Sequence, residues 1–105
     1  MAFSSTLEKT NNTAMITLVG ELDAASAPQF KAEVERAAGA DIQRLVLKMA
    51  GLDYIASAGL RVLIFAKQKM GPSVDLYVIA PQAQVLDTLQ KTGFDRSCIV
   101  QETYA

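Results

Sequence analysis

One hydroxyl stands apart in the stretch "LDYIASAGL", residues 52–60. It is Ser57, set among Ala56, Ala58 and Gly59 just before a helix-like run. Two chemistries suit such a group. It can cap the following helix by accepting a backbone N–H bond. It can also receive or deliver chemistry, beside the unpaired N–H groups and partial positive charge of a helix start. A third chemistry, hydrolysis with Ser57 as nucleophile, needs a base. Histidine is absent, which closes the Ser–His–Asp and Cys–His routes. No oxyanion motif is identifiable, and nothing singles out Lys67 or Lys69 as a substitute base. With one cysteine, Cys98, and no histidine, zinc sites of the usual type are excluded as well. Glu21 and Asp23 could suggest an acid–base pair, but they lie together at a strand end with no pocket signal. The chain is expected to be no enzyme, with no catalytic residues and no cofactor or metal.

The totals agree with a binding module. A chain of 105 residues has the size of one domain. Half of the residues are hydrophobic and a fifth are charged, as in soluble globular proteins. Ten basic and eleven acidic residues leave a net charge of −1 without a basic stripe, so direct nucleic-acid binding is not expected. No apolar run approaches the length of a membrane span. Residues 1–10 lack the pattern of a secretory leader. The lone cysteine fits a reducing, cytoplasmic setting.

The elements that must position Ser57 can be read from periodicity. "SSTLEKT" and "AMITLVGEL" read as strands joined by a turn at Asn11 and Asn12, which tolerate left-handed backbone angles. "SAPQFKAEVERAAGA" reads as a helix. Ser26 with Gln29 forms a capping-box pattern, Pro28 suits the first turn, and Gly39 offers a left-handed stop. Phe30, Val34, Ala37 and Ala38 share one face, while Glu33, Glu35 and Arg36 are expected in solvent. "RLVLKMAGL" reads as a buried strand. A second helix is expected from Leu60 to Met70, stopped by Gly71 and Pro72. Its apolar arc comprises Leu60, Val62, Leu63, Ile64, Ala66 and Met70. Phe65 falls between Arg61 and Lys69. It suits packing against a neighbouring loop or strand, or an aromatic anchor for a partner. "VDLYVIA" reads as a strand. "PQAQVLDTLQKTG" reads as a helix opened by Pro81, with Val85, Leu86 and Leu89 inward and Gly93 as its stop. "SCIVQETY" reads as a last strand. The order β-β-α-β-α-β-α-β implies an α/β fold, a mixed sheet covered by helices.

Three segments together carry a family resemblance: "GELD" at Gly20–Asp23, "YIASAGLRVL" at Tyr54–Leu63 and "TGFD" at Thr92–Asp95. In this order, over essentially the whole chain, they resemble a STAS domain, and more closely the stand-alone bacterial anti-sigma factor antagonists. The resemblance implies about five strands, with three or more helices mainly on one face of the sheet. It implies a phospho-acceptor at Ser57, because the family pattern of aromatic, apolar, Asp, Ser, Ser/Thr/Ala, Gly, Leu runs here from Tyr54 to Leu60. Ala58 carries no hydroxyl, so no neighbour competes with Ser57. Ala56 departs from the usual Asp. Arg61 departs from the small residue often found there; it suits pairing with a phosphate on Ser57, pairing with an acidic partner, or simple solvation.

The resemblance also implies a mechanism. The unphosphorylated antagonist binds an anti-sigma factor that is also a serine kinase and so frees the sigma factor. The kinase, holding the ATP, phosphorylates the serine, and a phosphatase restores it. The implied partner surface comprises Glu21, Asp23, Ala56, Ser57, Ala58, Gly59, Leu60, Arg61 and Phe65. A second reading is a non-phosphorylated structural subunit of a larger assembly, such as a lipid-transport ATPase complex or a sensor, where Ser57 serves only as a helix cap.

Overall fold

A computed structural model describes residues 2–104. The strands are β1 (Ser4–Thr10), β2 (Thr13–Leu22), β3 (Arg44–Ile55), β4 (Asp75–Ile79) and β5 (Ile99–Gln101). The helices are α1 (Ala27–Ala37), α2 (Ser57–Met70) and α3 (Ala83–Thr92), and a 3-10 turn spans Phe94–Ser97. The strands lie side by side in chain order, β1-β2-β3-β4-β5. β1 is antiparallel to β2, through a tight turn in which Asn11 has φ 55°. The remaining pairs are parallel. The strand order never reverses, so crossovers of a single hand place their helices on the same face. One core results: Phe30 and Val34 of α1, Leu60 and Leu63 of α2, and Val85 and Leu89 of α3 meet Ile16, Leu18, Leu45, Leu47 and Val78 of the sheet. This is the mixed sheet and the element order expected from periodicity. Among the described residues no helix is long and apolar enough to cross a membrane.

The other sheet face carries no helix. Val46 and Ile79 are buried there outside the main core. Tyr104 crosses part of it, meeting Tyr77 edge-on with ring centroids 5.1 Å apart and accepting a hydrogen bond from Arg44 Nη1 at 3.1 Å.

β3 is longer than its apolar run suggests and is not regular. Its pairing with β2 shifts between Thr17 and Val19 and again between Gly20 and Glu21, with one extra β3 residue accommodated each time. Each shift is a bulge, which kinks a strand and re-aims its side chains. The buried positions therefore step by two from Leu45 to Leu47 to Met49, then by three to Leu52 and to Ile55. The second bulge leaves Tyr54 exposed beside the start of α2.

Several boundaries differ from the sequence reading. Gly39 does not stop α1: Ala38 is the C-cap, in extended geometry, with its N–H bonded to Val34. Glu33 is buried rather than solvated. Its carboxylate pairs with Arg36 at 2.6 Å and accepts a long hydrogen bond from the Ser5 hydroxyl at 3.5 Å. α3 begins at Ala83 with Gln82 as N-cap, so Pro81 precedes the helix instead of opening it. The last strand is confined to Ile99–Gln101: the 3-10 turn takes up Ser97, and Glu102, Thr103 and Tyr104 lie outside the sheet ladder. Gly71 and Gly93 do stop α2 and α3, each at positive φ.

Candidate functional site

Ser57 opens α2 at the end of β3. The helix starts at Ser57 rather than Leu60, which makes Ala56 the N-cap and Ser57 the first helical residue. The expected cap by Ser57 does not form: no side chain caps this end, and an alanine N-cap has no oxygen to offer. The Ser57 side chain is exposed.

The backbone leading into Ser57 is fixed from three directions. The Ala56 N–H donates to Leu22 O at 2.8 Å, tying the turn to the end of β2. The Ile55 N–H donates to Gln84 Oε1 of α3 at 3.0 Å. Gln82 Nε2 donates to Ala50 O at 2.7 Å and to Asp53 Oδ1 at 3.3 Å, holding the bulged part of β3. Below the turn, Gly59 is buried against Leu22 and Ile55. Such anchoring presents the hydroxyl in one place instead of on a loose loop. Gln82 and Gln84 lie far from the serine in sequence, and no local pattern marks them.

Glu21 and Asp23 stand at the neighbouring end of β2, where Glu21 is paired in register with Tyr54. Asp23 has a structural task. Its Oδ1 accepts the Ala25 and Ser26 N–H groups, both at 3.1 Å, and the Ser26 hydroxyl at 3.0 Å. Ser26 Oγ in turn accepts the Asp23 N–H at 2.9 Å. This is a reciprocal capping box one turn earlier than the expected Ser26–Gln29 pair, which does not form. The hydrogen bonds from Ser26, backbone first and then hydroxyl, hold the Asp23 carboxyl below the usual carboxylate range. Asp23 and Glu21 line a depression of ≈ 320 Å³ with Phe3, Ser26 and Gln29.

The remaining expected contact residues divide. Arg61 is exposed, and Ala56 and Ala58 are half-buried at the surface. Gly59 and Leu60 face inward, so they support the surface from beneath instead of forming it. Phe65 packs half-buried against the core with Lys31 of α1 over its ring, Nζ 4.8 Å from the centroid. It joins α2 to α1 while keeping part of its ring at the surface.

Ile64 corrects the expectation in the other direction. Read as part of the buried arc, it is 41% exposed. Ser57, Arg61, Ile64 and Gln68 fall in one stripe along α2, and all four are exposed. Ile64 borders a groove of ≈ 330 Å³ lined also by Lys67, Gln68, Gly93 and Phe94. The exposed surface thus combines a small hydroxyl end, an aromatic at Tyr54 and an apolar patch at Ile64.

Comparison with known proteins agrees with this architecture. The family model described as "STAS domain" matches residues 4–105. A protein of Bordetella bronchiseptica named as an anti-sigma factor antagonist, BtrV, is 33% identical over 90 residues, covering 85% of this chain and 78% of that protein. Anti-sigma-F factor antagonist RsfB of Mycobacterium tuberculosis is 23% identical, over 83% of this chain and 71% of that one. The fold is shared with an anti-sigma factor antagonist from Mycobacterium paratuberculosis, at TM-score 0.87 and 20% identity, with 97% of this chain and 87% of that one covered. It is also shared with SpoIIAA of Bacillus in the phosphorylated form, at TM-score 0.74 and 19% identity, with 92% and 90% covered.

Proposed function

The chain belongs to the STAS domain family, and from that premise we propose that it is an anti-sigma factor antagonist switched by phosphorylation of Ser57. In the unmodified state its α2 stripe and the adjoining strand ends bind an anti-sigma factor with serine-kinase activity, and the sigma factor is released. The chain acts as a binding module and a substrate, not as a catalyst. In the kinase step Ser57 Oγ attacks the γ-phosphorus of ATP held by the partner. The bond to ADP breaks as the O–P bond forms, and the hydroxyl proton passes to a base of the kinase. A phosphatase hydrolyses the ester. These exchanges take place in the cytoplasm.

The observation that carries this reading is the exposed Ser57 hydroxyl, held on anchored backbone beside exposed Tyr54 and Ile64. Phosphate placed there enters a contact that binding would dry. Drying a contact over such a charge costs several kcal/mol even where one side chain of the same chain pairs with it, and a loss of about 3 kcal/mol weakens affinity more than a hundredfold. Release needs no refolding of either protein. The names of the relatives BtrV and RsfB support the role, as does the existence of SpoIIAA, of the same fold, in both forms.

The test uses an anti-sigma serine kinase from the same organism. Incubation with ATP should add one phosphate, seen by intact mass and lost in Ser57→Ala. Ser57→Asp and the phosphorylated chain should bind that kinase at least tenfold more weakly than the unmodified chain. Equal affinities, or no phosphate transfer from any such kinase, would leave a structural subunit of a larger assembly as the better reading.

A further inference from the structure

Arg61 stands four residues after Ser57, one turn further along the same exposed face of α2. Side chains at this spacing meet on a helix surface. Long helical side chains lean toward the N-terminus of their helix, so the Arg61 guanidinium is within reach of a group on Ser57. α2 contains no acidic residue, its N-cap is an alanine, and no ion pair engages Arg61 among the described residues. The carboxylates of the neighbouring strand ends are partly spoken for: Asp23 is bonded to Ala25 and Ser26, and Asp53 accepts from Gln82. Glu21 is exposed at that end.

We propose that Arg61 closes on a phosphate at Ser57 and forms a clamp within α2, folding the new charge back onto the helix. The clamp rests on the phosphorylation of Ser57 proposed above and adds a named receiver for it. The planar guanidinium fork matches two phosphate oxygens at once, which an ammonium does not. The phosphate is then held along the stripe that leads to Ile64 instead of projecting freely. The modified form is thereby ordered at the surface where the partner would seat.

Phosphoserine can be placed at position 57 during translation, which needs no kinase and separates the clamp from the identity of the partner. Phosphorus NMR then follows the second ionisation of the phosphate, ordinarily near pH 6, with Arg61, Arg61→Lys and Arg61→Gln. The ionisation should fall about 0.2–0.4 pH unit lower with Arg61 than with glutamine. Lysine should lie between them, and about 1 M salt should erase most of the difference. Glu21, Asp23 and Asp53 act alike in all three proteins, so the comparison isolates Arg61. In the unmodified protein Arg61→Gln should leave the thermal midpoint unchanged. Identical titration with arginine and glutamine overturns the clamp, whether or not a kinase modifies Ser57. A clear clamp in a chain that no kinase phosphorylates overturns the switching role instead.

Discussion

Gly59 and Leu22 leave no room between them: a β-carbon at Gly59 would lie 2.7 Å from Leu22 Cγ and 3.0 Å from Ile55 Cγ1. The small residue serves close approach of α2 to the ends of β2 and β3, inside the chain. Alanine is the better helix former by about 1 kcal/mol, but overpacking costs typically about 1–3 kcal/mol. Leu22 and Ile55 are fully buried and cannot yield cheaply. Gly59→Ala should therefore lower stability by about 1 kcal/mol, read as a fall of about 4–8 °C in the thermal midpoint of a chain this size. A higher midpoint would show that the first turn of α2 shifts without cost.

The Asp23–Ser26 box makes a prediction in pH. Asp23 has a folded pKa below its unfolded value, so its stabilisation is present above the ordinary carboxylate range near pH 4 and is lost as pH falls through the lowered folded value. Ser26→Ala removes the hydroxyl that both accepts from Asp23 N–H and donates to its carboxylate. It should cost about 1 kcal/mol at pH 7. Thermal melts of wild type and Asp23→Asn should differ at pH 7 and converge toward pH 2. A constant gap across that range would contradict the assigned role.

Cys98 should be a slow thiol. Burial, with a smaller contribution from the Asp95 charge, pushes its pKa up to about 11. The thiol also donates to Phe94 O at 3.5 Å. Because the thiolate is the reactive form, labelling by a disulfide reagent at pH 7.5 (about neutral) should be much slower than in the unfolded chain. The raised folded value also means that stability is present below the ordinary thiol pKa near 8.5 and declines as pH climbs toward the folded one. Rapid labelling of the native protein at neutral pH would refute this.

Ile64 should matter more to binding than to folding. Its side chain is 41% exposed, so Ile64→Asp removes only part of a burial worth about 1.5–3 kcal/mol in full, and should lower stability by about 1 kcal/mol. If the stripe seats the anti-sigma factor, the same change should weaken that complex at least tenfold, an effect of about 1.4 kcal/mol or more. Calorimetry of the complex beside melts of the free chain checks both halves.

Much of this molecule was legible in its residues, for identifiable reasons. Alternation and turn chemistry located β1, β2 and the Asn11 turn, and apolar spacing located the three helices. Ser57 stood out because a hydroxyl among alanines and a glycine, ahead of a helix, has few roles. What was missed depended on tertiary contacts. In "DAASAPQ" Ser26 pairs back with Asp23 instead of forward with Gln29 because its hydroxyl sits against the end of β2, with Glu21 O 3.1 Å away. Glu33 follows Phe30 by three residues, which by spacing alone belongs to the buried face; its charge argued for solvent, and Arg36 resolves the conflict. The bulges of β3 break the alternation of "MAGLDYI", so neither the strand's extent nor the exposure of Tyr54 was visible. Ile64 sits at the edge of an apolar arc, and only the position of α3 and the 3-10 turn decides that it is left uncovered.

The strand order has a consequence for how the protein is made. Each new strand joins the one synthesised just before it, and none has to wait for a later segment to be threaded between existing neighbours. Short-range pairings carry small loop-closure penalties and favour rapid assembly. The sheet can thus lengthen stepwise as the ribosome delivers the chain, with the surface bearing Ser57 completed only once α3 arrives to supply Gln82 and Gln84.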